Sequence, residues 1–159
     1  MTIHRETRDI RLPPEQVFEL VADVERYPEF LPSWQAARVV CRDDDGYDTE
    51  QTVGMGLLAR HFQTHTRLER PRRINVTSRH QLFRPSEIIW EFHPADNGGC
   101  RVDFVPDFRI GSFVLAPAFD MLMVPTASSM VSAFERRAGL IADSQDLCDV
   151  APEALEPEL

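Results

Sequence analysis

The chain has 159 residues, 43% of them hydrophobic, and a formal net charge of −9. That length supports one sizeable core and falls short of two typical domains. The acidic balance excludes a sequence-independent grip on phosphate backbones, which depends on clustered Lys and Arg releasing counterions, so no DNA partner is expected.

The charge is uneven. Asp143, Asp146, Asp149, Glu153, Glu156 and Glu158 have no basic companion and supply six of the nine net negative charges. With Pro152 and Pro157 among them, residues 143–159 read as an acidic, disordered tail on a single domain spanning 1–142. The body keeps room for a patch of arginines, with Arg70, Arg72 and Arg73 as candidates.

In chain order, a first strand is expected at about Thr2 to Leu12. Its sequence has no apolar core of a signal peptide, and no later stretch reaches the length of a membrane span, so a soluble, cytoplasmic protein is expected. Pro13-Pro14-Glu15 opens a helix, because proline suits a first helical turn and a carboxylate suits its positive end. Val17, Leu20, Val21 and Val24 follow at helical spacing until Pro28 biases Tyr27 out of the helical region, so the chain is expected to turn near Tyr27. Residues 23–32, Asp-Val-Glu-Arg-Tyr-Pro-Glu-Phe-Leu-Pro, thus make a proline-braced corner. Phe30, Leu31 and Trp34 form an apolar cluster there, suited to lining a cavity.

The segments that follow alternate with the period of strands. Asp43-Asp44-Asp45-Gly46 is a hairpin signal, with glycine expected to supply a positive φ. It joins a strand at Ala37 to Arg42 to one at Tyr47 to Val53. Phe62, Thr64, Thr66 and Leu68 then oppose His61, Gln63, His65 and Arg67, as in a half-exposed antiparallel strand. Pro71-Arg72-Arg73 leads into Ile74 to Arg79. Ile88, Trp90 and Phe92 alternate with Ile89, Glu91 and His93, and Asn97-Gly98-Gly99 turns the chain into Val102, Phe104, Pro106, Phe108 and Ile110. Pro106 cannot donate to a ladder and belongs at an edge, bulge or bend. After Gly111 the period becomes helical, with Met123, Ala127, Met130, Phe134, Ala138 and Ile141 on one stripe and an irregular beginning at Pro117 and Pro125. One strand, a helical corner, six strands and a long helix, without parallel crossovers, define an α+β domain.

The chemistry is that of binding rather than catalysis. His61 and His65 are four apart, but on a strand that spacing puts them on an open polar face, not around a metal. Cys41, Cys100 and Cys148 lack CxxC spacing and read as reduced thiols. No GxSxG elbow or phosphate loop is present, and Asp23, Glu25 and Glu29 read as a solvated acidic turn. The soft apolar residues stand out instead: Met55, Leu57, Trp90, Phe92, Phe104, Phe108, Met123 and Met130 fall on faces that converge if the helix covers the sheet. Such residues adapt to irregular apolar ligands and also fill ordinary cores.

Val21-Ala22-Asp23-Val24-Glu25-Arg26-Tyr27-Pro28-Glu29-Phe30-Leu31-Pro32, together with Trp90-Glu91-Phe92 and Ala133-Phe134-Glu135-Arg136-Arg137-Ala138, resembles the coenzyme Q-binding START-domain family of the polyketide cyclase-like superfamily. The resemblance covers about residues 3 to 142 and departs from the family at Gln81-Leu82-Phe83-Arg84-Pro85, where an acidic residue, Gly, Pro and Phe are usual. It implies a helix-grip fold: a curved antiparallel sheet of about seven strands around a long C-terminal helix. It also implies a non-enzymatic carrier, with no cofactor, that binds a polyprenyl quinone such as ubiquinone for coenzyme Q biosynthesis or respiration. Transient contact with the inner face of a respiratory membrane would go with that role. Under this reading Phe30, Leu31 and Trp34 line the entrance, Met55, Leu57, Trp90, Phe92, Phe104 and Phe108 line the sheet side, and Met123 and Met130 line the helix. The same signature marks a sister group of ribosome-association toxins, so a ribosome-directed interaction protein is the alternative. A polyketide cyclase or aromatase is a third reading.

Overall fold

Eight antiparallel strands and two α-helices make up the computed structural model, which describes residues 2–3, 5–31, 34–54, 60–80, 83–108 and 116–150. The strands are β1 (Thr2–Ile3), β2 (Glu6–Ile10), β3 (Trp34–Asp43), β4 (Gly46–Val53), β5 (Arg60–Glu69), β6 (Arg73–His80), β7 (Phe83–Pro94) and β8 (Cys100–Phe108). From β3 to β8 each strand pairs with the next, and β1 and β2 close the series on β8. The result is the expected α+β helix-grip architecture, a curved antiparallel sheet with a long C-terminal helix.

The expected first strand is split into β1 and β2, and Pro106 explains why. Ile3 pairs with Asp107 and Glu6 with Phe104, so the break between the two short strands lies opposite Val105 and Pro106. On its other side β8 keeps an unbroken ladder to β7 through Ile88 and Pro106. The imide nitrogen that cannot donate is therefore turned toward the interruption.

Helix α1 (Pro14–Ala22) starts where the prolines direct, with Gln16 and Val17 donating to the Pro13 carbonyl at 3.0 and 3.1 Å. It ends at Ala22, earlier than Pro28 implied. A 3-10 helix (Val24–Glu29) carries the chain on and contains Pro28. The cause lies in two tyrosines: the Tyr27 hydroxyl donates to the Val21 carbonyl and the Tyr47 hydroxyl to the Ala22 carbonyl, the latter at 2.6 Å. Both satisfy acceptors that a helix end leaves open. The 3-10 helix lies beside edge strand β3, where Glu25 accepts the Val39 N–H at 3.3 Å and so blunts the open ladder.

Gly46 serves the hairpin for a reason other than the expected positive φ. A Cβ there would sit 1.9 Å from the Thr66 carbonyl oxygen, so the close approach of β4 to β5 demands glycine.

Helix α2 (Ala116–Val150) runs as one helical segment through Pro117 and Pro125, where an irregular start was expected. It also passes the boundary expected at residue 143. Asp143 pairs with Arg11 at 2.9 Å and Gln145 donates to Gln16 at 2.8 Å, so the first part of the acidic segment continues the helix along α1 and its approach. Residues 151–159 lie outside the described residues. The buried face of α2 is Val131, Ala133, Phe134, Ala138 and Ala142, with Met130 and Ile141 flanking it. It is turned slightly from the expected stripe, with Val131 and Ala142 buried where Met130 and Ile141 were expected.

Candidate functional site

The two sequence motifs that stand about a hundred residues apart meet in space. Phe134, from the middle of α2, presents its ring to three others. The centroids of Tyr27, Phe30 and Trp90 lie 5.3, 5.2 and 5.1 Å away, all at steep edge-to-face angles. That geometry sets the positive edge of one ring against the negative face of another. One turn further along α2, Arg137 places its guanidinium 5.2 Å from the centre of the Phe30 ring and 3.6 Å from the Glu29 carboxylate. The corner is thereby clamped to the helix by one aromatic ring and one cation.

From Phe134 the aromatic contacts continue onto the sheet. Trp90 lies 4.6 Å from Phe104 and is stacked parallel to Phe92, which meets Phe18 of α1 at 5.6 Å. Trp90, Phe92 and Phe104 are sealed from solvent, whereas Tyr27, Phe30 and Trp34 are half-buried and pack against the same cluster. Apolar surface therefore runs without a gap from the rim at the corner to the interior of the sheet.

The sequence-derived candidates distribute as follows. Phe30, Leu31, Trp34, Trp90, Phe92, Phe104 and Met130 all belong to this one cluster or pack on it. Met55 and Leu57 lie outside the described residues. Phe108 is placed by its backbone at the end of β8 and Met123 in α2, but their side chains lie outside the described residues.

Three groups at the site are absent from that expected set. Tyr27 and Phe134 form the junction between corner and helix; both were visible in the motifs, and the missing step was that the motifs touch. The third is polar. On the same sheet face Thr49, Gln51, Thr64 and Thr66 are buried. The Trp34 indole N–H donates to Gln51 Oε1 at 2.8 Å, and Gln51 Nε2 donates to Thr49 Oγ1 at 2.9 Å and Thr64 Oγ1 at 3.3 Å. The two threonine hydroxyls also bond each other. The signal for this network was the inward alternation of Tyr47, Thr49 and Gln51 on β4 and of Thr64 and Thr66 on β5.

Burial pushes the Tyr27 and Tyr47 hydroxyls well above the usual tyrosine value. For Tyr27 the neighbouring Tyr47 and Asp23 add to the effect, and for Tyr47 the Arg42 guanidinium opposes it. Burial likewise raises the Cys100 thiol to about 11. These groups stay neutral at ordinary pH, so the site has no ionised nucleophile in Cys100 or the tyrosines. Among the described residues no cluster of three or more His, Cys, Asp or Glu is suited to a metal. His61 instead bonds Thr52, and His65 bonds Asp48, on the opposite sheet face. A separate open groove of about 420 Å³ lies between the end of β2 and α2, bordered by Asp9, Arg11, Glu135 and Arg136. Its charged border contains none of the aromatic residues.

A curved antiparallel sheet with a long C-terminal helix, and an aromatic junction beneath a helical corner, defines the helix-grip class of fold. The chain belongs to the polyketide cyclase/dehydrase and lipid transport family, which matches residues 10–135. It is 32% identical to the ribosome association toxin RatA of Vibrio cholerae over 78% of this chain and 86% of that protein. It is 26% identical to the coenzyme Q-binding protein COQ10 homolog B of Xenopus laevis, covering 84% of this chain and 56% of that protein. Among solved structures, the ZhuI aromatase/cyclase of Streptomyces sp. R1128 superposes with a TM-score of 0.79 at 12% identity, over 87% of this chain and 93% of that one, a likeness of fold alone. No helix among the described residues is long and apolar enough to cross a membrane.

Proposed function

We propose that the protein is a non-enzymatic carrier that encloses a polyprenyl quinone between its sheet and α2, taking it up at the Tyr27–Trp34 corner. The observation that carries this reading is the continuous aromatic cluster from the half-buried corner to the buried rings of Trp90 and Phe104, which supplies an apolar lining for a ligand that enters by displacing the corner. The family's lipid-transport members and the coenzyme Q-binding relative support it. Physical magnitudes favour it too. Each isoprene unit of five carbons contributes about 3 to 4 kcal/mol when buried, at about 0.8 per methylene, while one neutral hydrogen bond contributes about 1. Tail burial therefore dominates affinity.

The test uses the chain's two tryptophans, Trp34 at the corner and Trp90 on β7. Quinones accept electrons readily, so a bound quinone quenches nearby indole fluorescence. Titration with ubiquinones of increasing tail length should give saturable quenching that tightens with length, and solvent extracts of gently purified protein should contain the lipid by mass spectrometry.

The similarity to ribosome association toxins supports a second reading, in which the outer surface engages the ribosome. Co-sedimentation with ribosomal subunits, without quenching and without extracted lipid, would replace the carrier reading with this one.

A further inference from the structure

Register lines on the buried sheet face separate two kinds of wall. One line runs Leu68, Ile74, Trp90 and Phe104 across β5 to β8 and is wholly apolar. Four residues away along the strands, about 13 Å at the usual rise, Thr49, Thr64 and Ser78 occupy directly opposed positions on β4, β5 and β6, and Ser86 holds the next position on β7. A sheet face that serves only as core has no need of the buried hydroxyls of Thr49 and Thr64, since each must find a partner to offset its desolvation.

Counting protons at its centre gives an imbalance. An indole N–H can only donate, so the bond from Trp34 fixes the Gln51 amide with its oxygen toward Trp34 and its nitrogen toward the threonines. Both threonine oxygens then accept from Gln51. The bond between the two hydroxyls uses one of their two protons. None of these bonds gives the other hydroxyl proton an acceptor, and Thr49 and Thr64 are both more than nine-tenths buried. An unspent donor in such a place costs about 1–3 kcal/mol unless something accepts from it.

Given the ligand-binding reading above, on which this rests, we propose that Thr49, Gln51 and Thr64 form a head-group subsite that donates one hydrogen bond to a carbonyl oxygen of the enclosed ligand. Trp34 and Gln51 act as positioning residues that hold the threonine pair in its donating arrangement. The subsite selects for a carbonyl-bearing apolar molecule, a quinone head with its tail, over a hydrocarbon of equal length. A ligand acid is disfavoured, because among the described residues no cation bonds to the network and a buried carboxylate without one is costly.

The probes are decylubiquinone and decylbenzene, which share a decyl tail and differ in the head, where only the former carries carbonyl oxygens, together with two methoxy groups and a methyl group. Thr64→Val keeps the shape of the side chain and removes the hydroxyl. It should weaken decylubiquinone binding about five- to tenfold, the worth of one hydrogen bond, and leave decylbenzene, measured by displacement of a fluorescent fatty ligand, unchanged. Thr64→Ser should restore the difference. Infrared spectra of carbonyl-13C-labelled decylubiquinone on the wild-type protein give a readout independent of any variant: the bound carbonyl stretch should lie below its position in hexane. A stretch at the hexane position, an equal loss for both probes in Thr64→Val, or no loss for either would overturn the subsite while the carrier reading stands. Failure of the wild-type protein to bind either probe would remove both.

Discussion

Phe134→Ala should release the corner from the helix. The ring is buried to 2% exposure and meets Tyr27, Phe30 and Trp90 within 5.3 Å. Removing a core phenylalanine costs about 3–5 kcal/mol, and edge-to-face pairs contribute about 0.5–1.5 each beyond burial, so with three pairs lost the upper part of that range applies. A domain of this size loses about 2–4 °C of melting temperature per kcal/mol, which gives a fall of about 10–20 °C. Phe30→Ala is the control. Phe30 is only half-buried, and its truncation should cost about 1–2 kcal/mol, a part of the 1.5–3 for a fully buried large side chain. Thermal melts by circular dichroism measure both. Hydrogen exchange should show residues 23–31 of Phe134→Ala opening faster than strands β7 and β8, which are held by their own ladder. If Phe134→Ala melts no lower than Phe30→Ala, or if the corner keeps its protection, α2 is not what holds the corner.

Alkaline pH should destabilise the fold. The Tyr27 and Tyr47 hydroxyls are raised above 10.0 and the Cys100 thiol from 9.0 to about 11, so the unfolded chain releases these protons first. The stability they confer is intact below those ordinary values and is lost as pH rises through the folded ones. Urea midpoints should hold steady from pH 7 to about 8.5 and then fall, less steeply in Tyr47→Phe; a flat profile to pH 11 would refute the burial of these groups. Tyr27→Phe should cost about 1–2 kcal/mol through the orphaned Val21 carbonyl, and an unchanged urea midpoint would show that another donor caps α1. A chain ending at Asp143 should melt within a few degrees of the full chain. Among the described residues the contact removed, from Gln145 to Gln16, is exposed, and a large loss would mean that the end of α2 is packed.

The sequence was most legible where a period repeated. Six strands from Trp34 to Phe108 and the long helix follow from alternation and from the change of period near Gly111, because each strand buries one face. The end of α1 was not legible locally: Tyr47, twenty-five residues away, supplies the hydroxyl that caps Ala22, and no window around Pro28 contains it. The same holds for Gly46, whose requirement comes from the Thr66 carbonyl on the next strand. Aromatic candidates such as Trp90 and Phe104 were found because apolar residues on converging faces announce themselves. Thr49, Gln51 and Thr64 were passed over because inward polar residues on a strand look like ordinary alternation until the register lines them up.

The contacts of the two signature motifs also bear on why one signature resembles both coenzyme Q-binding and ribosome-association proteins. Phe134 and Arg137 reach Tyr27, Glu29 and Phe30, so these signature residues are spent on fastening the corner to the helix. Residues fixed by that task specify an architecture and leave the choice of partner to others. Under the proposed head-group subsite, discrimination of an enclosed ligand falls to Thr49, Gln51 and Thr64 on the buried sheet face; under the ribosome-directed reading it falls to the outer face, which carries His61, His65 and Arg67. A Phe134→Leu variant that keeps the fold should therefore loosen the corner and speed ligand exchange without altering which ligand is preferred. Thr64→Val should do the reverse, changing preference with little effect on exchange rate. Stopped-flow quenching that found both properties moving together in either variant would show that corner and head-group site are one unit.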